Sequence, residues 1–483
     1  MQDDKAECGN LPQLLQQLGD SLQQYQRFEH PDAMQNSVMW KETFGIPLPD
    51  KGVGIAQVMQ EMTQQLIPNG SQIPNPGCTA YITTGATSVG ALATLAGAVA
   101  SPQRVGITAF NFLEEQSLQW MADMFELSPN MKGVYSSGGS VANLVALGAA
   151  RQWAFEKLGI DPARQGIQKA CRLYATKASH HTIQRAAAVL GMGRSAVIII
   201  DTDTMGRMLP SALEKQLEQD ASLEDVSVAI IANAGSTSTG IIDPLSEIAE
   251  IAQAHDLWFH VDGAYGLPGI LDPQVHPLYN GIEQADSVIV DPHKWLGAPV
   301  GIGATFVRDR NILNRAFTQE ASDYLEGSLT DDVQHSMDNL GIPYADFGVE
   351  LSAPPRGAVV WALIREIGKD GLRERICRHN AMARQLATLA HEHPNLEVVQ
   401  EPVLSICCFR YYSDNIYDLN EFNRRILRQL VQNNHNITSS AMINGIFCIR
   451  PCFVGARTTV QHVNALVEEV ITIGKQLTLL NTQ

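Results

Sequence analysis

Short apolar runs recur through the middle of the chain, at Cys171–Thr176, 196–200, Val226–Asn233, 257–261 and 287–291. Stretches with apolar positions at helical spacing separate them, at 114–125, 141–158, 211–220 and 244–255. Several runs are apolar at successive positions, the pattern of strands covered on both faces. Strands alternating with amphipathic helices predict an α/β fold with a mainly parallel central sheet flanked by helices. Residues 1–75 read as a helical arm, with helices at 11–28 and 53–66 and a break at Ile67-Pro68-Asn69-Gly70. After residue 350 the texture changes to a long helical stretch, Arg356–Glu392, interrupted near Gly368 and Gly371. An apolar run at 403–411, a helix at Leu419–Asn433, a strand at 445–451 and a helix at 460–479 follow. The predicted division is an arm (1–75), a large domain (76–350) and a small α+β domain (351–483).

A length of 483 residues exceeds one average core and agrees with that division. The net charge of -17 argues against a nucleic-acid partner, which needs clustered Lys and Arg. The most membrane-like stretch, 81–100, is rich in Ala, Gly and Thr but poor in large side chains. It reads as a closely packed, buried helix, not a membrane span. The first residues are polar and carry no apolar signal core, so a cytoplasmic setting is expected. None of the eight cysteines forms a Cys-x-x-Cys pair, and reduced core thiols are the expectation. Cys448 and Cys452 are spaced like half a metal site, yet no histidines follow at zinc-finger spacing, so no metal is predicted.

The chemistry concentrates at the ends of the apolar runs. Lys294 stands in Asp291-Pro292-His293-Lys294-Trp295, after one run; Asp262 stands in His260-Val261-Asp262-Gly263-Ala264-Tyr265, after another. A lysine can condense with the aldehyde of pyridoxal 5′-phosphate, and a carboxylate can hold a proton on its pyridine nitrogen. Upstream, Ser137-Gly138-Gly139-Ser140 leads into a helix, where small residues and backbone amides suit a phosphate. His180, in Ser179-His180-His181-Thr182, can lie on a cofactor ring or orient a substrate carboxylate. Asn233-Ala234-Gly235-Ser236-Thr237 offers small polar groups at another strand end. Singly, each motif has an ordinary structural explanation. The ordered set of phosphate loop, histidine, acid and lysine at successive strand ends points to a pyridoxal phosphate enzyme.

From about residue 75 to about residue 475 the chain resembles the group II pyridoxal phosphate-dependent amino-acid decarboxylases. That group includes glutamate, aromatic-amino-acid, histidine and cysteine-sulfinate decarboxylases. Asp291-Pro292-His293-Lys294-Trp295 is the most specific element; Gly240, Asp243-Pro244, 406–411 and Ile449-Arg450-Pro451 add to it. The resemblance implies fold type I, a homodimer with shared active sites, and decarboxylation of an L-amino acid to the amine and CO2. It implies Lys294 as the cofactor-bonding lysine, Asp262 as partner of the pyridine nitrogen and Ala264 against the ring. It further implies His180 stacked on the ring, Gly139 and Ser140 on the phosphate, and Asn233 and His293 in the cofactor site. His293 faces the substrate side, and Ser352 completes the phosphate site of the second subunit. Tyr324 matches the tyrosine of the family's mobile catalytic loop and is expected to protonate the substrate α-carbon.

Some positions depart from the family pattern. Asp291 replaces a frequent Asn, and an ionised carboxylate there would repel a phosphate. Asn233 replaces a frequent Thr. The segment after Ser352 reads Ala353-Pro354-Pro355-Arg356 where the family is often Arg-rich, and 81–84 and 105–107 lack the aromatics of the aromatic-acid enzymes. The same cofactor site can also serve oxidative decarboxylation to an aldehyde, or another lyase or transfer reaction. A catalytically silent binding subunit is the remaining alternative. Tyr324 favours simple decarboxylation over the oxidative route.

Overall fold

The computed structural model describes residues 10–29, 37–102, 104, 108–318, 342 and 344–481. Seven strands form the central sheet: β1 (Lys132–Ser136), β2 (Cys171–Thr176), β3 (Val197–Ile200), β4 (Val226–Asn233), β5 (Trp258–Asp262), β6 (Ser287–Val290) and β7 (Gly303–Val307). Their order is β1-β7-β6-β5-β4-β2-β3. From β3 to β6 every neighbouring pair is parallel, and β7 runs antiparallel to both β6 and β1. The sheet is therefore mainly parallel with one reversed strand. The parallel strands need no alternation because helices cover both faces: β5 and β6 are buried at every position.

The helix Gly139–Glu156 lies against this sheet, with eleven of its 18 residues buried. Five of the eleven are alanine and one is Gly148, small side chains that let the helix axis approach the strands closely. Trp258, Phe259, Val261, Val288 and Val290 fill the core from the sheet side.

A second, antiparallel sheet follows, in the order β10-β11-β9-β8, from β8 (Leu396–Gln400), β9 (Cys408–Tyr411), β10 (Ser439–Ile443) and β11 (Ile446–Arg450). The helices Leu419–Asn433 and Val460–Asn481 belong to the same C-terminal part. Between the sheets runs the helix Arg356–Glu392, broken at Gly368, whose φ of 66° and ψ of 178° are not helical. Val359, Val360, Leu363, Leu372 and Ile376 on this helix join the large core. Met382, Ala383, Leu386, Ala387 and Ala390 join the small one.

Two segments differ in extent from the sequence pattern. The stretch 81–100 is helical only at Ser88–Ala100, capped by Thr87, whose side chain accepts from the Gly90 amide. That helix is not buried within the chain. Gly90 and Gly97 are packed, against Pro299 and Pro355, while Leu92 is 65 % and Val99 63 % exposed. Apolarity sufficed to predict burial but not to say against what. The arm helices Leu11–Tyr25 and Ser37–Phe44 likewise contain no buried residue. Of the apolar run at 403–411 only Cys408–Tyr411 is a strand, and Ile406 before it makes an isolated bridge with Cys452.

Candidate active site

Parallel pairing brings the chemistry-bearing residues to one rim. Asn233 ends β4 opposite Asp262 at the end of β5, and Asp262 is in register with Ile289 of β6. Lys294 follows β6 within a short turn in which the Lys294 amide donates to Asp291 O at 2.9 Å. Trp295 anchors this turn: its ring stacks on Tyr265 at 5.1 Å and its Nε1 donates to His379 Nδ1 at 2.9 Å. The loop after β1 reaches the same rim, where Gly138 has φ of 121° and opens directly into the helix Gly139–Glu156. Only glycine adopts that backbone without strain.

Ser137, Gly138, Gly139, Ser140, His180, Asn233, Asp262, Ala264, His293 and Lys294 line one cavity of about 290 Å³, close to the lower end of small-molecule sites. Asp262 is 7 % exposed. Its Oδ2 accepts from Asn143 Nδ2 at 3.0 Å and its Oδ1 from the Ala264 amide at 3.1 Å. Lys294 Nζ lies 3.1 Å from Asp291 Oδ2, and His293 Nε2 lies 3.9 Å from the same oxygen. His293 Nδ1 is 2.7 Å from Ile302 O. A carbonyl only accepts, so the proton sits on Nδ1 and Nε2 is the ring's free nitrogen in the neutral form. Burial pushes the His180 pKa down, partly offset by the nearby Asp262 charge. Its ring lies 4.1 Å from that of His181, tilted by 37°.

Asn233 is held by Asp243, which accepts from the Asn233 amide at 2.7 Å and from Nδ2 at 2.8 Å. Asn233 Nδ2 also approaches Thr176 Oγ1 and Ser179 Oγ, both at 3.3 Å. Burial raises the Asp243 pKa, opposed by hydrogen bonds from the Met208 and Asn233 amides.

The donor set fits pyridoxal 5′-phosphate: an amine for the aldehyde, a fixed carboxylate for the ring nitrogen, and a glycine-serine helix N-terminus for the phosphate. The cradle tolerates no side chain, since a Cβ on Gly139 would fall 2.6 Å from Asp291 Oδ2. Asp291 is the discordant member. Its carboxylate packs against the phosphate loop, and its Oδ1 is buried without a hydrogen-bond partner. The Lys294 ammonium 3.1 Å away offsets that charge.

Ser352 does not line this cavity; it lies in an apolar groove with Thr94, Pro299, Pro355 and Val359, beside the helix Ser88–Ala100. Tyr324 lies outside the described residues. Thr182, Tyr265 and Thr237, at the ends of the motifs quoted above, also line the cavity, as does Asn143, which lies outside them. Asn143 had one signal: a polar residue within an otherwise Ala- and Val-rich helical face. Behind the cavity, Arg450 is 3 % exposed and donates to the carbonyls of Tyr81 and Thr237, bracing the rim loop. Cys448 and Cys452 are free, and no group of residues among those described could hold a metal ion.

A profile of the pyridoxal-dependent decarboxylase conserved domain matches residues 40–412. The aromatic-L-amino-acid decarboxylase of Bacillus atrophaeus is 31 % identical over 368 residues, covering 74 % of this chain and 73 % of that protein. The acidic amino acid decarboxylase GADL1 of Xenopus tropicalis is 33 % identical over 282 residues, 58 % of this chain and 53 % of its own. The crystal structure of Oryza sativa TDC with PLP and tryptamine superposes with a TM-score of 0.89 at 21 % identity, covering 98 % of this chain and 99 % of that one. The fold is thus that of known pyridoxal phosphate decarboxylases. The chain belongs to the pyridoxal-dependent decarboxylase family and, with pyridoxal 5′-phosphate as cofactor, decarboxylates an amino acid to its amine.

Proposed function

We propose that the substrate is an L-α-amino acid and that Lys294, Asp262, His180 and Tyr324 are its principal catalytic and cofactor groups. The observation that carries this reading is the convergence of Lys294, Asp262 and the Gly138–Ser140 cradle on one cavity. When bound, pyridoxal 5′-phosphate supplies an electron-withdrawing ring that takes up the electron pair left as CO2 departs. Lys294 holds the cofactor through its aldehyde, Gly139 and Ser140 hold the phosphate, and Ala264 and His180 flank the ring. The Asp262 carboxylate would face the ring nitrogen, with Asn143 and the Ala264 amide fixing its orientation. Asn233 and His293 complete the wall, and His293 Nε2 is the atom available for proton exchange. Tyr324 delivers the proton to the substrate α-carbon.

Product analysis tests this assignment. Tyr324→Phe is expected to bind cofactor and substrate normally but to form amine roughly 10²–10⁴-fold more slowly, the usual contribution of a positioned general acid. The unprotonated substrate carbon then meets dioxygen, and product shifts from amine towards aldehyde, ammonia and peroxide. Amine formed by the variant at the original rate removes Tyr324 from the reaction.

The assembly we propose is a cytoplasmic homodimer with shared active sites, built from an arm (1–75), a large domain (76–350) and a small domain (351–483). The exposed Leu92 and Val99 of the helix Ser88–Ala100 and the uncovered arm helices support burial against a second copy. Ser352, in the adjoining groove, is suited to reach the partner's phosphate site. Free thiols at the seven described cysteines fit a reducing compartment. The net charge of -17 disfavours nucleic acid, and no helix among the described residues is long and apolar enough to cross a membrane. Light scattering is expected to give twice the 52.7 kDa chain mass; an active particle of the single mass contradicts the shared site.

A further inference from the structure

A buried chain of hydrogen bonds runs behind the cavity and touches both Asp262 and His180. Trp258 Nε1 donates to Ser287 Oγ at 2.8 Å, and Ser287 Oγ lies 2.8 Å from His260 Nδ1. His260 Nε2 lies 2.9 Å from Asn143 Oδ1. Asn143 Nδ2 lies 3.0 Å from Asp262 Oδ2 and 3.0 Å from Thr182 Oγ1. Thr182 Oγ1 lies 2.9 Å from His180 Nδ1. Asn143 is 1 %, Thr182 2 %, and His260 and Ser287 0 % exposed. Four elements contribute, so no local turn or cap accounts for the arrangement.

The ends of the chain fix every proton in it. An ionised carboxylate only accepts, so the Asn143 amide must present its NH2 group, not its oxygen, to Asp262. Asn143 Oδ1 therefore faces His260, which must carry a proton on Nε2. Burial pushes the His260 pKa down to about 4, so the ring is neutral and its Nδ1 accepts. Indole N–H only donates, so Ser287 Oγ accepts from Trp258 and its hydroxyl donates to His260 Nδ1. On the other branch, Thr182 accepts the second Asn143 N–H and is free to donate to His180 Nδ1. The Thr182 amide approaches the same nitrogen at 3.4 Å. Two donors aimed at Nδ1 leave the His180 proton on Nε2.

We propose that Asn143 is a positioning residue that couples the two cofactor-facing groups: its one amide orients the Asp262 carboxylate and, through Thr182, sets the tautomer of His180. This rests on the reading of Asp262 and His180 as the groups facing the cofactor. Asn143 reaches the cavity wall, but both ends of its amide are engaged by Asp262, Thr182 and His260, so its effect is exerted through these neighbours.

Neutron diffraction of the cofactor-free protein reads the chain directly, independently of any cofactor role. Hydrogen is expected on Nε2 of both His180 and His260. Thr182→Val is expected to leave His260 unchanged and move the His180 hydrogen to a mixture of Nδ1 and Nε2; Thr182→Ser restores Nε2. Asn143→Ala is expected to weaken binding of pyridoxal 5′-phosphate about tenfold or more, one hydrogen bond to a charged group. Hydrogen on Nδ1 of His260, an unchanged His180 in Thr182→Val, or wild-type cofactor affinity in Asn143→Ala overturns the proposal. If Asn143→Ala does not fold, the Thr182 pair still decides the outcome. A correct proton chain with unchanged cofactor affinity in Asn143→Ala sinks the coupling while leaving the cofactor assignment to be judged by labelling of Lys294.

Discussion

Lys294→Ala is expected to reduce turnover roughly 10³–10⁶-fold, the scale of removing the group that forms the covalent bond. Borohydride reduction of the wild type, followed by peptide mapping, is expected to leave the pyridoxyl label on Lys294; a label on another lysine refutes the assignment. The structure adds a second consequence. Asp291 is 2 % exposed and its Oδ2 has the Lys294 ammonium 3.1 Å away, while its Oδ1 has no partner. Removing one member of a buried ion pair costs about 3–5 kcal/mol. The cofactor-free Lys294→Ala protein should therefore unfold at lower denaturant than the wild type. Adding Asp291→Asn should restore much of that stability without restoring turnover. Recovery of both, or of neither, would show that the two effects share a different origin.

Asp262→Asn should lower kcat/KM roughly 10²–10³-fold, equivalent to about 3–4 kcal/mol for a charge lost opposite a buried cation. The substitution preserves shape but not charge. It also turns an acceptor-only group into one that must point NH2 at either the Asn143 amide or the Ala264 N–H, which are both donors. Misorientation thus accompanies the loss of charge. Steady-state kinetics with the cofactor saturating measures the effect, and equilibrium dialysis of the cofactor measures its affinity. Full kcat in Asp262→Asn would remove the carboxylate from the chemistry.

The parallel core was legible because β4, β5 and β6 are apolar at successive positions, and that property follows directly from burial on both faces. Lys294, Asp262 and His180 were legible because parallel strands send their following loops to one rim. Strands β1 and β7 carried no such signal. β1 reads Lys-Gly-Val-Tyr-Ser, and β7 is set by pairing on one side with β6 and on the other with β1, where Gly303 lies opposite Ser136, 167 positions earlier. Asn143 and His260 were also silent as site residues. Their role arises from contacts across 117 and 119 positions, with His260 and Asp262 respectively for Asn143, and local pattern carries no record of such pairs. The helix Ser88–Ala100 shows the complementary limit: its composition demands a partner surface but does not specify whether that surface lies in the same chain.

The helix Arg356–Glu392 places its first half in the large core and its second half in the small one. A fragment ending near residue 350 would lack Val359, Val360, Leu363, Leu372 and Ile376, leaving sockets in the core beneath the cofactor site. Each such side chain is worth about 1.5–3 kcal/mol when buried. The catalytic sheet is thus not a detachable module. Genetic dissection of the chain, or grafting of its C-terminal part onto a relative, has to carry this helix with the larger piece and rebuild the seam on the smaller.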